Sequence, residues 1–189
     1  VDRRKFKVSK SKYMNAPKIW LEKFVDLNGI SDAGFAEKMT FAGNKVESLQ
    51  GKGDAVVFEF EITSNRPDTL SIIGLAREAA AIFNLKLSLP KIPKISLPNV
   101  QPIKLSIRDK KLCPAYSLVE IKNISVKPSS SSIQKLLTLA GIRPINNIVD
   151  ITNYLMYETG QPIHAFDADQ IKGNLILRTA RANEKITPL

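Results

Sequence analysis

The sequence is nearly without cysteine and histidine, and it contains no long apolar run. Its 189 residues include one cysteine, Cys113, and one histidine, His164. A single cysteine excludes an internal disulfide and favours a reducing compartment, and the two residues cannot supply the usual ligands of a structural zinc site. No stretch approaches the roughly 18 consecutive apolar residues that a transmembrane helix requires. We therefore predict a cytoplasmic globular protein with no metal site and no membrane partner.

Several motifs of well-known enzyme classes are also missing. The sequence has no glycine-rich phosphate-binding loop, no Walker motif and no Gly-x-Ser-x-Gly nucleophile elbow. Apolar residues make up 43% of the chain and charged residues 24%, which excludes an intrinsically disordered protein. The sequence therefore predicts a folded domain, but no enzyme motif of these kinds assigns it a reaction.

The net charge of +10 is unevenly distributed. Residues 1–20 carry seven basic residues and one acidic residue, residues 86–111 carry the same numbers, and the rest of the chain has a net charge of −2. The excess therefore belongs to a basic tail, residues 1–12, and to the region around a linker. Two interpretations stay open: these segments contact a phosphate backbone, or they are a solvated tail and linker.

An N-terminal α+β unit is predicted over residues 13–88. Capping and turn residues predict, in chain order, a helix from Pro17 that ends at Gly29, a helix capped by Ser31 that ends at Gly43, a hairpin of strands at 45–49 and 55–62, and a helix that begins at Thr69 and is capped by Asp68. The residues expected on the buried faces of these helices are Ile19, Trp20, Phe24, Leu27, Phe35, Met39, Phe41, Leu70, Ile73, Ala76, Ala80 and Phe83. Together these elements predict one hydrophobic core.

The turn before the last of these helices has two possible roles. It reads Thr-Ser-Asn-Arg-Pro-Asp over residues 63–68. Arg66 beside a helix N-terminus could bind an anion, whereas turn residues of this kind also serve architecture alone. The sequence leaves both roles open.

A proline-rich connector, residues 89–102, separates this unit from a second one at 103–189, because its prolines disfavour helices and central strands. The second unit is predicted to contain strands at 103–107, 115–121 and 174–180, a helix capped within Ser129–Ser132 that ends at Gly141, and a helix over 147–157 followed by Gly160. Strands and helices mix without regular βαβ alternation. The predicted fold class is therefore α+β.

Residues 145–171 hold the densest group of chemically functional side chains, namely Asp150, Thr152, Asn153, His164 and Asp167. Histidine is the residue type suited to proton transfer at physiological pH, so a general acid–base role would fall to His164, with Asp167 orienting the imidazole. This requires the turn after Gly160 to fold the chain back. The same residues also fit a structural interpretation, with His164 as a hydrogen-bonded turn residue and Asn153 as a helix-to-loop strut.

The segment INNIVDITNYLMYETGQPIHAFD, residues 145–167, closely resembles the signature of the editing domain of bacterial-type phenylalanyl-tRNA synthetase beta subunits. APKIWLEKFVDL, residues 16–27, resembles the N-terminal helix of those subunits, and FEFEITSNRPDTLSIIGLAREAAAI, residues 58–82, resembles the segment just before the editing domain. The resemblance covers roughly residues 14–189. The chain is therefore identified as a member of this family, with a small N-terminal α+β unit joined to a partial editing domain.

The resemblance implies a heterotetramer of two alpha and two beta subunits that charges tRNA(Phe) with phenylalanine. ATP and Mg²⁺ would serve the whole enzyme without binding to this part, because adenylation and transfer belong to the alpha subunit. The region present here would hydrolyse tyrosine esterified to tRNA(Phe). A second site of this kind is useful because an apolar pocket rejects an added hydroxyl by only about 10²-fold.

The resemblance also implies site residues. His164 and Asn153 would take part in catalysis by orienting a water molecule or the substrate, and backbone N–H groups could stabilise the oxyanion. The substrate pocket would be lined by Thr152, Asn153, Gly160, Pro162 and His164.

Two departures from the family pattern lead to a rival hypothesis. The family inserts an oligonucleotide-binding barrel between the strands predicted at 45–49 and 55–62, where this chain has only a short bridge. The acidic residue with which the family recognises the tyrosine hydroxyl would lie beyond residue 189, so we expect a fragment with an incomplete pocket. The rival is a non-catalytic module, derived from the same domain, that binds tRNA, another RNA or a protein.

Overall fold

The structure is a computed structural model that describes residues 13–94, 104–185 and 187. Helices and small sheets are mixed, which confirms the α+β class. Two compact units are present: unit 1 comprises the described residues up to Ile92 together with Val126–Ala165, and unit 2 comprises Pro93–Ser125 together with the residues from Phe166 onward. The basic tail, 1–12, and most of the connector lie outside the described residues. The predicted domain boundaries stay predictions, although residues 126–165 pack with the N-terminal part of the chain.

Unit 1 combines a small antiparallel sheet with helices. Its elements are β1 (Tyr13–Pro17), α1 (Lys18–Leu21), α2 (Asp32–Phe41), β2 (Val46–Gln50), β3 (Val57–Glu61), α3 (Ile72–Phe83), α4 (Ser131–Leu139) and α5 (Asn147–Thr159). The strand order is β1-β3-β2, with β3 antiparallel to both neighbours. This confirms the predicted hairpin between β2 and β3.

The side chains of β3 alternate between the core of unit 1 and the opposite face of the sheet. Phe58 and Phe60 are fully buried, whereas Glu59 and Glu61 point to the other face, where they are half-buried. Phe35 of α2 packs against Phe58 with ring centroids 4.5 Å apart. The predicted serine caps are confirmed for α2 and α4, where Ser31 and Ser130 each accept a hydrogen bond from a backbone N–H in the first turn.

The first predicted helix is wrong over most of its length. Helix α1 ends at Leu21 and does not reach Gly29, and strand β1, which was not predicted, precedes it. Phe24 and Leu27 are nevertheless buried. They follow α1 in an irregular segment that Val25 ties to Leu87 through an antiparallel bridge. The spacing of these apolar residues therefore predicted their burial correctly but predicted the helix wrongly.

The start of α3 also differs from the prediction. The helix begins at Ile72 and is capped by Ser71, whereas residues 67–69 form a 3₁₀ turn and the Asp68 carboxylate pairs with Arg66. Two residues expected in the core are exposed: Leu70 lies 54% exposed beside this turn, and Phe41 at the end of α2 is 85% exposed. Phe41 is the last residue of α2, and Leu70 precedes the first residue of α3 by two positions.

The close approach of this turn to α3 explains why residue 74 is a glycine. A β-carbon at Gly74 would lie 2.0 Å from the carbonyl oxygen of Asp68. We expect Gly74→Ala to lower the free energy of unfolding by about 1–3 kcal/mol, because overpacking outweighs the gain of about 1 kcal/mol in helix propensity. Urea unfolding followed by circular dichroism measures the change.

Gly34 provides a matched control for that substitution. Both glycines lie three residues after a capping serine, and in both cases an added β-carbon would lie 2.9 Å from the serine Oγ. Only Gly74 also meets a backbone carbonyl. Equal effects of Gly34→Ala and Gly74→Ala would contradict the proposed clash with Asp68.

Unit 2 contains a two-stranded parallel sheet. Strands β4 (Leu105–Ile107) and β5 (Leu175–Leu177) pair from Leu105 opposite Leu175 to Ile107 opposite Leu177. They confirm the strands predicted at 103–107 and 174–180 in shortened form. The strand predicted at 115–121 is wrong, because these residues have no regular structure and Val119 and Ile121 are 63% and 69% exposed. Apolar alternation is insufficient where no neighbouring strand supplies hydrogen bonds. In the described part of the chain, no helix is long and apolar enough to cross a membrane.

Candidate functional site

The predicted site residues lie on α5 and on the segment that follows it. Asn146 caps the helix by accepting hydrogen bonds from the N–H groups of Ile148 and Val149. Gly160 ends it with a φ of 78°, a conformation that favours glycine. Thr152 and Asn153 are therefore helical, whereas Pro162 and His164 follow the helix in an exposed segment without regular structure.

The N-terminal end of α5 is held by a buried carboxylate. Asp150 is 1% exposed and accepts hydrogen bonds from the Ser129 hydroxyl and, at 2.8 Å, from the backbone N–H of Ile145. Gln134 of α4 donates to the Ser129 carbonyl at 2.7 Å. The buried carboxylate thus has hydrogen-bond partners, as buried polar groups in proteins generally do. Asp150 connects the start of α5 to Ser129, next to α4, and its role is structural.

The C-terminal end of α5 is held by a second buried carboxylate. Glu158 accepts a hydrogen bond from the Trp20 indole at 2.8 Å and from the Tyr154 hydroxyl at 2.5 Å. Trp20 stacks on Tyr154 and Tyr157, with ring centroids 4.7 and 5.7 Å away. The Tyr157 hydroxyl accepts from the backbone N–H of Asn15 at 3.1 Å. We call Trp20, Tyr154, Tyr157 and Glu158 the aromatic clamp.

Both tyrosines of the clamp remain protonated at neutral pH. Burial raises the pKa of Tyr157 to about 12. The pKa of Tyr154 is also raised, mainly by burial and to a smaller extent by the hydrogen bond to the Glu158 carboxylate. The Tyr154 hydroxyl therefore stays a hydrogen-bond donor to Glu158 across the physiological range.

The polar groups of the predicted site are available to a ligand. Within the described residues of unit 1, the side chains of Asn153 and His164 make no hydrogen bond, whereas the Thr152 hydroxyl donates to the Val149 carbonyl at 2.8 Å. Asn153 is half-buried and His164 is exposed. Asp167 lies in unit 2, where its carboxylate accepts from the backbone N–H of Asp169. Its predicted role beside His164 stays a prediction.

The structure does not show one pocket formed by the five predicted residues. Asn153 lies seven residues before Gly160, which corresponds to about 11 Å along the helix axis. Gly160 packs against Ser71 and Leu70, since its β-carbon position lies 3.4 Å from each. Two surface depressions of the described residues, one lined by Asp109 and the other by Glu22 among others, are lined by none of the five residues. Their roles therefore stay predictions.

Sequence reasoning missed the aromatic clamp. Trp20 was expected in the core, but its partner Glu158 was not singled out. A signal was present, because Asp150, Tyr154 and Glu158 recur every four residues and so share one face of the helix. Two carboxylates on the face that packs inward indicate buried polar contacts.

Arg66 is held by neighbouring carboxylates. Its guanidinium pairs with Asp68 at 2.8 Å and with Glu78 at 2.9 Å, and Asn44 donates to Glu78 at 3.1 Å. The hydrogen bond from Arg66 lowers the pKa of Asp68. These contacts favour the architectural role of the turn at 63–68 over anion binding.

Comparison with known proteins adds a family match and many relatives. The model of the B3/4 domain matches residues 112–189. Phenylalanine–tRNA ligase beta subunits of Fusobacterium nucleatum, Carboxydothermus hydrogenoformans and Clostridium acetobutylicum are 47%, 45% and 43% identical to the chain over 137, 149 and 157 residues. These matches cover 71%, 78% and 81% of the chain but 17%, 18% and 20% of the relatives. The chain thus spans about a fifth of the length of the curated relatives it matches.

Proposed function

Because the chain belongs to the phenylalanine–tRNA ligase beta subunit family, we propose that it supplies the N-terminal part of such a subunit, which binds tRNA(Phe) and contributes to hydrolytic proofreading of tyrosyl-tRNA(Phe). The observation that carries this proposal is the 43% identity that extends over 81% of the chain. The match to the B3/4 domain begins at residue 112 and includes all the predicted site residues.

The names of the relatives support an alpha-subunit partner for this chain. A beta subunit requires an alpha subunit, and the proposed enzyme is a cytoplasmic heterotetramer with a second copy of each. Aminoacylation with ATP and Mg²⁺ would take place in the alpha subunit. In the described residues, no group of three or more histidine, cysteine, aspartate or glutamate side chains could hold a metal ion. The steps proposed for this chain use its own side chains and water.

The proposed reaction is hydrolysis of an ester. The oxygen of a water molecule bonds to the carbonyl carbon of the tyrosyl ester, and the bond to the terminal ribose oxygen of the tRNA breaks, which releases tyrosine and free tRNA. The free amide of Asn153 and the imidazole of His164 would orient that water or the substrate. Thr152, Gly160 and Pro162 would line the pocket. Asn153 lies on α5, and orientation by a residue on a helix suits this role, because small displacements are costly in rate.

A hydrolysis assay tests this proposal directly. We expect a chain extended through the whole editing domain to release tyrosine from tyrosyl-tRNA(Phe) faster than phenylalanine from phenylalanyl-tRNA(Phe). Release of radiolabelled amino acid is the measurement. An extended, folded chain that binds both tRNAs but hydrolyses neither would contradict proofreading.

That same outcome would support the second candidate function, a non-catalytic RNA-binding module. One observation favours this candidate: exposed basic side chains without ion pairs cluster in unit 2, away from the predicted catalytic residues in the sequence. Binding without hydrolysis distinguishes the two functions.

A further inference from the structure

One exposed face of unit 2 is strongly basic. Lys104 and Arg108 flank strand β4 and are exposed, as is Ser106 between them, whereas Leu105 and Ile107 are half-buried on the opposite face. Four residue steps along the strand place the Cα atoms of Lys104 and Arg108 about 13 Å apart. Lys110 and Lys111 follow at once in an exposed turn. We call Lys104, Arg108, Lys110 and Lys111 the β4 basic face.

The cations of this face lack ion-pair partners among the described residues. The nearest acid in sequence is Asp109, whose Oδ1 accepts hydrogen bonds from the backbone N–H groups of Lys111 and Leu112 at 3.1 Å each. Asp109 is half-buried and caps the turn. The carboxylate therefore shapes the turn and leaves the neighbouring cations free to attract an external anion.

Several other cations among the described residues are paired. In unit 1, Lys18 lies 2.7 Å from Asp32, Lys45 lies 2.6 Å from Glu47, and Lys135 lies 3.0 Å from Asp54. In unit 2, Arg178 of the segment after β5 forms two hydrogen bonds with Glu184, at 2.8 and 2.6 Å. Four unpaired cations within eight residues therefore distinguish the β4 basic face from these paired sites.

We infer that the β4 basic face binds the phosphate backbone of RNA. The inference rests on the proposed RNA-binding function and names the surface that performs it. Cations placed in a row along a strand match a linear series of phosphates, and such contacts carry affinity without sequence preference. A depression of 370 Å³ is lined by Asp109 and Leu112 of the turn after β4 and by Ile176 among others, but by none of the four cations. The row of cations alone therefore favours a linear polyanion such as a strand of RNA.

The test compares two variants of the whole chain with equal net charge. The first, K104Q/R108Q/K110Q/K111Q, neutralises the β4 basic face. The second, K52Q/R77Q/K86Q/K127Q, neutralises four exposed cations that are scattered over unit 1. Fluorescence anisotropy with labelled tRNA(Phe), and with an unrelated tRNA, is recorded between 50 and 300 mM KCl. Circular dichroism confirms that both variants are folded.

We expect the first variant to bind both tRNAs about ten-fold or more weakly at 50 mM KCl. Its slope of log K against log[KCl] should fall in magnitude by about 3, since each lost phosphate contact removes about 0.7 from the slope for single-stranded nucleic acid. The scattered variant should retain most of the wild-type slope. Equal losses in the two variants would overturn the inference in favour of overall charge.

The remaining outcomes separate this inference from the proposed function. Wild-type binding with an unchanged slope in the first variant overturns the inference alone. No binding of tRNA by the wild-type chain overturns the proposed RNA-binding function and the inference with it. Loss of binding to vesicles of phosphatidylserine and phosphatidylcholine in the first variant, with tRNA binding intact, would assign the face to a membrane surface and overturn the inference as well.

Discussion

Replacing Trp20 by alanine is expected to lower the free energy of unfolding by about 3–5 kcal/mol, the range for removing a large aromatic side chain from a core. Trp20 is completely buried and contacts both tyrosines of the aromatic clamp. Its loss would leave a cavity between α1 and α5 and remove one of the two hydrogen bonds that the buried Glu158 carboxylate accepts from Trp20 and Tyr154. Urea unfolding followed by far-ultraviolet circular dichroism measures the change without relying on tryptophan fluorescence.

Two further variants separate the causes of this loss. Trp20→Phe keeps an aromatic ring but removes the indole N–H, so part of the loss should persist, about 1–3 kcal/mol from the hydrogen bond to Glu158. Phe41→Ala is the matched aromatic control, because Phe41 is 85% exposed and its removal should change the free energy by no more than about 0.5 kcal/mol. A Trp20→Ala effect as small as that of Phe41→Ala would show that α5 is not held by the clamp.

The clamp makes residues 126–165 part of the N-terminal core. Helix α5 is fastened at its start by Asp150 and at its end by Glu158, and Gly160 packs against Ser71 at the start of α3. The position of the segment that carries Thr152 and Asn153 is therefore determined by contacts with residues far away in sequence. Substitutions at Trp20 are expected to alter the position of the candidate site through α5, without any contact between Trp20 and a substrate.

The helices that could be predicted from the sequence are those with local signals. Ser31, Ser130 and Asn146 each bond the backbone of the first turn, and Gly160 adopts the left-handed conformation that ends α5. These interactions involve neighbours in the chain, so residue type and spacing suffice to predict them. Secondary structure that depends on distant partners was predicted less well.

Strand β1 and residues 115–121 illustrate the difference. Strand β1 was not predicted, and it pairs with one edge of β3, with Pro17 opposite Val57. Residues 115–121 do show alternation but have no regular structure. Likewise, the residue types of the candidate site and the bounds of α5 could be predicted. The side chains that hold α5 could not, because the partners Trp20 and Glu158 are separated by 138 residues.

The second large effect concerns the candidate catalytic residues. In a chain extended through the editing domain, the double substitution Asn153→Ala and His164→Ala is expected to slow release of tyrosine from tyrosyl-tRNA(Phe) by about 10²-fold or more, the range for losing groups that orient or polarise the reacting atoms. Single-turnover release of radiolabelled tyrosine measures this rate. Aminoacylation by the complex with the alpha subunit should stay unchanged, because that reaction is proposed to occur elsewhere.

Thr159→Ala is the matched control for that double variant. Thr159 is an exposed residue on the same helix, and its hydroxyl donates to the carbonyl of Leu155 and accepts from the backbone N–H of Gln161. Its substitution should leave tyrosine release unchanged. Intact fluorescence of Trp20, which stacks on two residues of α5, would show that the helix keeps its place in both variants. Wild-type release by the double variant, with α5 in place, would assign Asn153 and His164 to structure and require the catalytic groups to be sought elsewhere in the editing domain.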